Sequence, residues 1–317
     1  MPDSRRPTRE TFEVLEVPPR PARDIAGEAV ADVDFAISRL THWNVRVPTD
    51  SRLHQAREIL AEAAESGTLI PRHRGDDQGL RALELAFDYA AIADTLPQKT
   101  IAALRRELES SLAGPLDPPD AARGPQQLQA QFVVRAAFVR AGLSPSHPSP
   151  QVGVSNPDLL LENGVSTYAI EVKRPKAMHN VVPRMIDARD QLANFGRPGG
   201  ILVDVTDCLR GVPPEQVGDE VWRLAVQLYD EVFLERGGFR QEASHIMLAG
   251  TFGRLSWETT DYESHAMVNV HTVSVISIFA DARNTIRDHR ARWIRSSFQN
   301  GLEALYRTIR ERGQPET

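Results

Sequence analysis

The chain has 317 residues, of which 41% are hydrophobic and 25% charged, and a formal net charge of −6. These values fit a globular protein long enough for two domains and exclude wholesale disorder. The acidic balance argues against a non-specific nucleic-acid coat, so any nucleic-acid surface has to be local. No apolar run reaches the roughly 18 residues of a membrane span, and the start, MPDSRRPTRETFEV, lacks the apolar core of a signal peptide. Cys208 is the single cysteine, which excludes an internal disulfide and a multi-cysteine zinc site. A cytoplasmic location without a membrane partner is the expectation.

Residues 1 to about 23 are rich in Pro and Arg and read as an irregular arm. Helical periodicity follows. Asp24 to Leu40, Asp50 to Ser66, Asp76 to about Leu96 and Gln98 to Leu112 carry small and apolar residues at i, i+3, i+4 spacing, and three of them begin at Asp, a good N-cap. The turn Pro71-Arg72-His73-Arg74 reads as a solvated loop rather than a phosphate contact. No helix-turn-helix signature and no internal repeat stands out.

Pro and Gly cluster in GPLDPPDAARG, Gly114 to Gly124, and mark a linker between an all-helical domain over 1–113 and a second domain over 125–281. Gln126 to Ala141 is an amphipathic helix with Leu128, Phe132, Val133, Ala136 and Val139 on its apolar face. His147 lies in a Pro-rich loop with no second ligand at a metal-like spacing, ahead of a first strand near Gln151 to Ser155.

Asn156 to Lys176 reads NPDLLLENGVSTYAIEVKRPK, two strands joined at Asn163-Gly164. In the second strand Tyr168, Ile170 and Val172 point one way and Glu171 and Lys173 the other, because side chains alternate along a strand. The loop length decides where Asp158 falls. A two-residue loop sets it opposite Ala169 and a four-residue loop, Asn163 to Ser166, opposite Glu171. Either keeps Asp158, Glu171 and Lys173 on one face, whereas a three-residue loop does not. Two carboxylates that close repel unless one is protonated or a cation lies between them. Oxygen ligands of this kind suit Mg²⁺ (or Mn²⁺), which also binds phosphate oxygens.

Pro157-Asp158, a gap of twelve residues, then Glu171-Val172-Lys173 resembles the PD-(D/E)XK phosphodiesterase superfamily, the restriction-endonuclease-like fold. The resemblance implies that Asp158, Glu171 and the Val172 carbonyl hold the divalent metal and that Lys173 is catalytic. Lysine usage supports it. Lys99, Lys173 and Lys176 are the only lysines in a chain with 37 Lys and Arg together, so a compact ammonium is retained where the rest of the chain uses guanidinium.

Downstream, Asn180 caps a helix to about Phe195 with Arg184, Asp187 and Gln191 along one stripe, and Ile201 to Val205 forms a buried strand. Gln191 resembles the Gln of the QxxxY helix motif of some family members, with Phe195 in place of the Tyr. The first core helix departs from the family: Gln127, Gln129, Gln131 and Val133 stand where many members carry a metal-assisting Glu. Glu215 to Arg236 reads as a helix, His245 to Gly250 and Ala266 to Phe279 as further strands, and Asp281 to Arg312 as a long helix docked through Trp293, Phe298, Leu302 and Leu305. Its arginines Arg283, Arg287 and Arg290 share a face that acids interrupt, so a solvated face is the simpler reading.

The expected architecture is thus α/β (α+β): an all-helical N-terminal domain, a restriction-endonuclease-like αβββαβ core with extra C-terminal strands, and a terminal helix and tail over 282–317. The expected function is a Mg²⁺- or Mn²⁺-dependent endonuclease acting on nucleic acid, DNA before RNA, with Asp158, Glu171, Lys173 and Gln191 in the catalytic site. Arg174, Lys176 and Arg184 are the expected phosphate contacts, and a homodimer is one way to cut two strands. The alternative is a nuclease-fold module without turnover that binds nucleic acid or a protein.

Overall fold

The computed structural model describes residues 13–16, 20–69, 78–119, 124–149, 156–162, 164, 167–195, 199–209, 246–260, 266–274, 293–294 and 296–305, with single residues between 216 and 227. In chain order the elements are β1 (Glu13–Glu16), β2 (Arg20–Pro21), α1 (Ala22–His42), α2 (Arg52–Ser66), α3 (Gln78–Thr95), α4 (Gln98–Ala103), α5 (Arg105–Leu112) and α6 (Pro125–Arg140). There follow β3 (Leu159–Glu162), β4 (Thr167–Lys173), α7 (Val181–Phe195), β5 (Gly199–Asp204), β6 (Ile246–Thr260) and β7 (Ala266–Ser274). Among the described residues no helix is long and apolar enough to cross a membrane.

The chain divides into two compact units. One comprises Glu16–Ala136, Ser256–His271 and Glu303–Thr317. Here α1, α2 and α3 pack against one another. Helix α1 buries Ile25, Ala26, Ala29, Val33, Ala36 and Leu40, a single stripe at helical spacing. Helix α3 buries nearly every residue from Ala82 to Ala93, including Glu84 and Asp88, so it is the central helix of this unit. Helix α2 begins not at Asp50 but at Arg52, because Ser51 takes the cap and its hydroxyl accepts the His54 N–H. The buried Arg52 then ties this helix to the end of α5, donating to the carbonyls of Ser111 at 3.0 Å and Leu116 at 3.4 Å. The helix expected over Gln98 to Leu112 is two helices, broken at Leu104 with φ −110 and ψ 24. Ile101, Leu104, Leu108 and Leu112 are all buried, so the apolar face runs on through the break.

The expected irregular arm contains two short strands. β2 pairs antiparallel with β7, Arg20 opposite Val268 and Pro21 opposite Met267. Two residues carry no periodicity to read, so backbone pairing alone defines this strand. β6 extends well past Gly250 to Thr260. Its second half alternates (Arg254, Ser256 and Glu258 against Leu255, Trp257 and Thr259), which is a strand signal distinct from the continuous apolar run before it.

The other unit comprises Met1–Leu15, Ala137–Leu255 and Thr272–Leu302. Its strands lie in the order β3-β4-β5-β6, with β3 antiparallel to β4 and β4, β5 and β6 mutually parallel. A parallel pair needs a crossover, and α7 supplies it between β4 and β5, packing on both. Val181, Val182, Met185, Ala188, Leu192 and Phe195 form its buried face. The opposite face of β4 presents Tyr168, whose ring lies 5.6 Å from that of Trp293. Residues 293–294 and 296–305 are helical, and Phe298 meets Phe138 of α6 at 5.7 Å. Gly301 permits that approach: a Cβ there would stand 1.8 Å from the Ala137 carbonyl oxygen. The expected strand near Gln151 to Ser155, the arginine-rich turn at Arg72 and Arg74, most of Glu215 to Arg236, the end of the last expected strand and Arg283, Arg287 and Arg290 lie outside the described residues.

Candidate metal centre on the β3–β4 hairpin

The hairpin register is Leu159 opposite Ile170 through Glu162 opposite Thr167, which leaves the four residues 163 to 166 as the loop. Gly164 carries the positive φ of 80 that the turn requires. Continued by one residue, the same register sets Asp158 across from Glu171. The strand ladder stops at Leu159, and the Asp158 side chain takes over from it: Oδ2 accepts the Val172 N–H at 2.7 Å. The first carboxylate is therefore fixed to the backbone of the strand that carries the second.

Glu171 and Lys173 are 3% and 8% exposed, on a strand whose remaining residues from Tyr168 to Val172 are also buried. Lys173 Nζ donates to Glu171 Oε1 at 2.6 Å and to Gln191 Oε1 at 2.8 Å. Helix α7 thus reaches the strand through Gln191 and holds the ammonium in place. Burial and then the nearby charge of Asp158 push the Glu171 carboxyl up to about 8, against the pull of the Lys173 ammonium and a hydrogen bond from the Asp158 backbone. Its Oε2 is buried with no hydrogen-bond partner.

Those features fit a divalent cation. An orphaned carboxylate oxygen beside a second carboxylate is an arrangement a bound cation satisfies, and oxygen donors are what Mg²⁺ and Mn²⁺ select. The donor set is nonetheless sparse. Among the described residues no group of three His, Cys, Asp or Glu side chains converges to hold a metal. Val172 stands between the two charged residues with its side chain buried and its N–H committed to Asp158.

The three basic residues expected at phosphate occupy different settings. Arg174 is 4% exposed. Its Nε donates to Asp207 Oδ2 at 2.9 Å, and its Nη1 lies 3.6 Å from Asp204 Oδ2. A guanidinium enclosed by two acids from the end of β5 and the short helix Asp207–Leu209 braces the end of β4 and is not presented to a ligand. Lys176 and Arg184 are half-buried. Arg184 precedes Gln191 by seven residues on α7, two helical turns, so it lies on the same face about 10 Å along the axis.

Sequence reasoning missed the Asp204 and Asp207 partners of Arg174. The available signal was an Asp closing an otherwise apolar strand, Ile201-Leu202-Val203-Asp204, which calls for a buried cation nearby. The glutamines of α6 all lie in the helical unit: Gln126, Gln127 and Gln129 are buried, and Gln129 Nε2 donates to Asp88 Oδ2 at 2.6 Å. No family model matches the chain, and no curated protein or solved structure matches it either.

Proposed function

We propose that the protein is a metal-dependent phosphodiesterase of the PD-(D/E)XK type, a restriction-endonuclease-like nuclease acting on nucleic acid, DNA before RNA. The observation that carries this reading is the convergence of Asp158, Glu171 and Lys173, with the Lys173 ammonium 2.6 Å from a buried carboxylate that keeps one oxygen unpaired. Asp158, Glu171 and the Val172 carbonyl would hold Mg²⁺ or Mn²⁺. When bound, the ion would lower the pKa of a water and polarise a phosphoryl oxygen.

The protein's own groups do the rest. Asp158, pinned by the Val172 N–H, keeps its carboxylate from swinging away as charge builds. Lys173 directs its N–H groups at the attacking water or at the non-bridging phosphate oxygens, offsetting negative charge that develops there. Gln191 and Glu171 position Lys173 by accepting one N–H each, and so fix the direction of the third. Lys176 and Arg184 contact phosphates flanking the scissile one, and Arg174 braces the end of β4 through Asp204 and Asp207 instead. A homodimer would present two such sites to the two strands of a duplex, and a cytoplasmic location suits that substrate.

A second reading keeps the fold without turnover, as a module that binds nucleic acid or a protein. The specific observation in its favour is that α6 offers glutamines where a metal-assisting acid would stand, while among the described residues no three His, Cys, Asp or Glu side chains converge. Incubating the full chain with supercoiled plasmid, single-stranded DNA and RNA in Mg²⁺ or Mn²⁺ separates the two. Cleavage that EDTA stops supports the nuclease. Salt-sensitive binding that survives EDTA with no cleavage in any metal supports the module.

A further inference from the structure

Residues 156 to 162 alternate without interruption: Asn156, Asp158 and Leu160 are half-buried, whereas Pro157, Leu159 and Leu161 are buried. The strand begins at Leu159 and the chain bends at Asp158, yet the alternation of burial continues back to Asn156. Leu160 pairs with Ala169, and directly paired residues share a face. Asn156, Asp158, Glu171 and Lys173 therefore lie on one side of the hairpin. On that side two buried side-chain oxygens have no hydrogen-bond partner, Asn156 Oδ1 and Glu171 Oε2. Both are acceptors, and a buried acceptor is satisfied by a donor or a cation. Lys173, on the same strand as Glu171, gives two of its three N–H groups to Glu171 Oε1 and Gln191 Oε1.

We infer that Asn156 Oδ1 is the third side-chain oxygen of the cation site, joining the carboxylates of Asp158 and Glu171. This rests on the reading of those two acids as cation ligands. An amide oxygen is a hard donor of the kind oxygen-seeking divalent ions accept, and being neutral it adds a ligand without adding a third negative charge to two acids that already repel.

The test uses the full-length protein freed of metal with EDTA, and Mn²⁺ as the probe. Calorimetric titration gives the Mn²⁺ affinity of the wild type, Asn156→Ala, Asn156→Asp and Glu171→Gln, and thermal melts in EDTA report folding. The expected result is Mn²⁺ affinity about tenfold or more weaker in Asn156→Ala, in the range lost when a metal site's supporting groups are removed, with the EDTA melt no lower than wild type. Asn156→Asp, of the same shape, should bind Mn²⁺ at least as tightly as wild type. Undiminished affinity in Asn156→Ala alongside lost binding in Glu171→Gln overturns the role of Asn156 and leaves the two acids standing. Wild type that takes up no Mn²⁺ overturns both. If Asn156→Ala fails to fold, Asn156→Asp decides alone, and weaker binding there counts against the inference.

Discussion

The Lys173 ammonium and the Glu171 carboxylate lie 2.6 Å apart with both side chains buried, two residues apart on one face of β4. Breaking such a pair leaves one charge without its partner, which costs more than removing both. Above about pH 8, where the Glu171 carboxyl is ionised, Lys173→Met should therefore destabilise the metal-free protein, and the double variant Glu171→Gln with Lys173→Met should recover most of that loss. Urea unfolding in EDTA measures both. Additive losses in the double variant would show that the two groups do not depend on each other.

The same carboxyl sets a pH dependence. Its folded value is raised from 4.5 to about 8, so between those limits the folded state binds more protons than the unfolded one. Stability from this group is then fully present below the unfolded value and is lost as pH rises through about 8. In EDTA the wild type should lose stability relative to Glu171→Gln as pH rises across that window. A constant gap between the two proteins from acid to alkaline pH would contradict the assignment. Mg²⁺ favours the ionised form and should reduce the slope.

Arg174 and Arg184 should behave in opposite ways. Arg174→Ala removes the buried cation that both Asp204 and Asp207 face, and should lower the melting temperature sharply. Arg184→Ala should leave the melt near wild type, weaken duplex binding and reduce the salt slope of that binding by about 1. Binding titrations at several salt concentrations in EDTA separate the two. A salt slope lost with Arg174 and kept with Arg184 would reverse the assignment.

Much of this site could be read from residue order because a strand's alternation is rigid. Once Glu171 and Lys173 share a parity, any even loop brings Asp158 to their side, and the observed register is one of the two even choices. Loop length itself depends on the backbone between Asn163 and Ser166, and an Asn-Gly pair is compatible with more than one turn. The partners of Arg174 were hidden for another reason. Asp204 and Asp207 reach it across a parallel pairing of β4 with β5, and such a register is set by the packing of α7 rather than by any local pattern. The break at Leu104 was equally invisible, since apolar spacing continues through it.

The central claim is that two acids on a hairpin hold a divalent ion whose use depends on the neighbouring ammonium. It is tested most directly by nicking of supercoiled plasmid in Mg²⁺ and in Mn²⁺, comparing wild type with Asp158→Ala and Lys173→Ala at matched folding. The expected outcome is wild-type cleavage abolished by EDTA and reduced about 10²-fold to 10⁴-fold by either substitution. Cleavage that proceeds in EDTA, or that survives both substitutions, would contradict it.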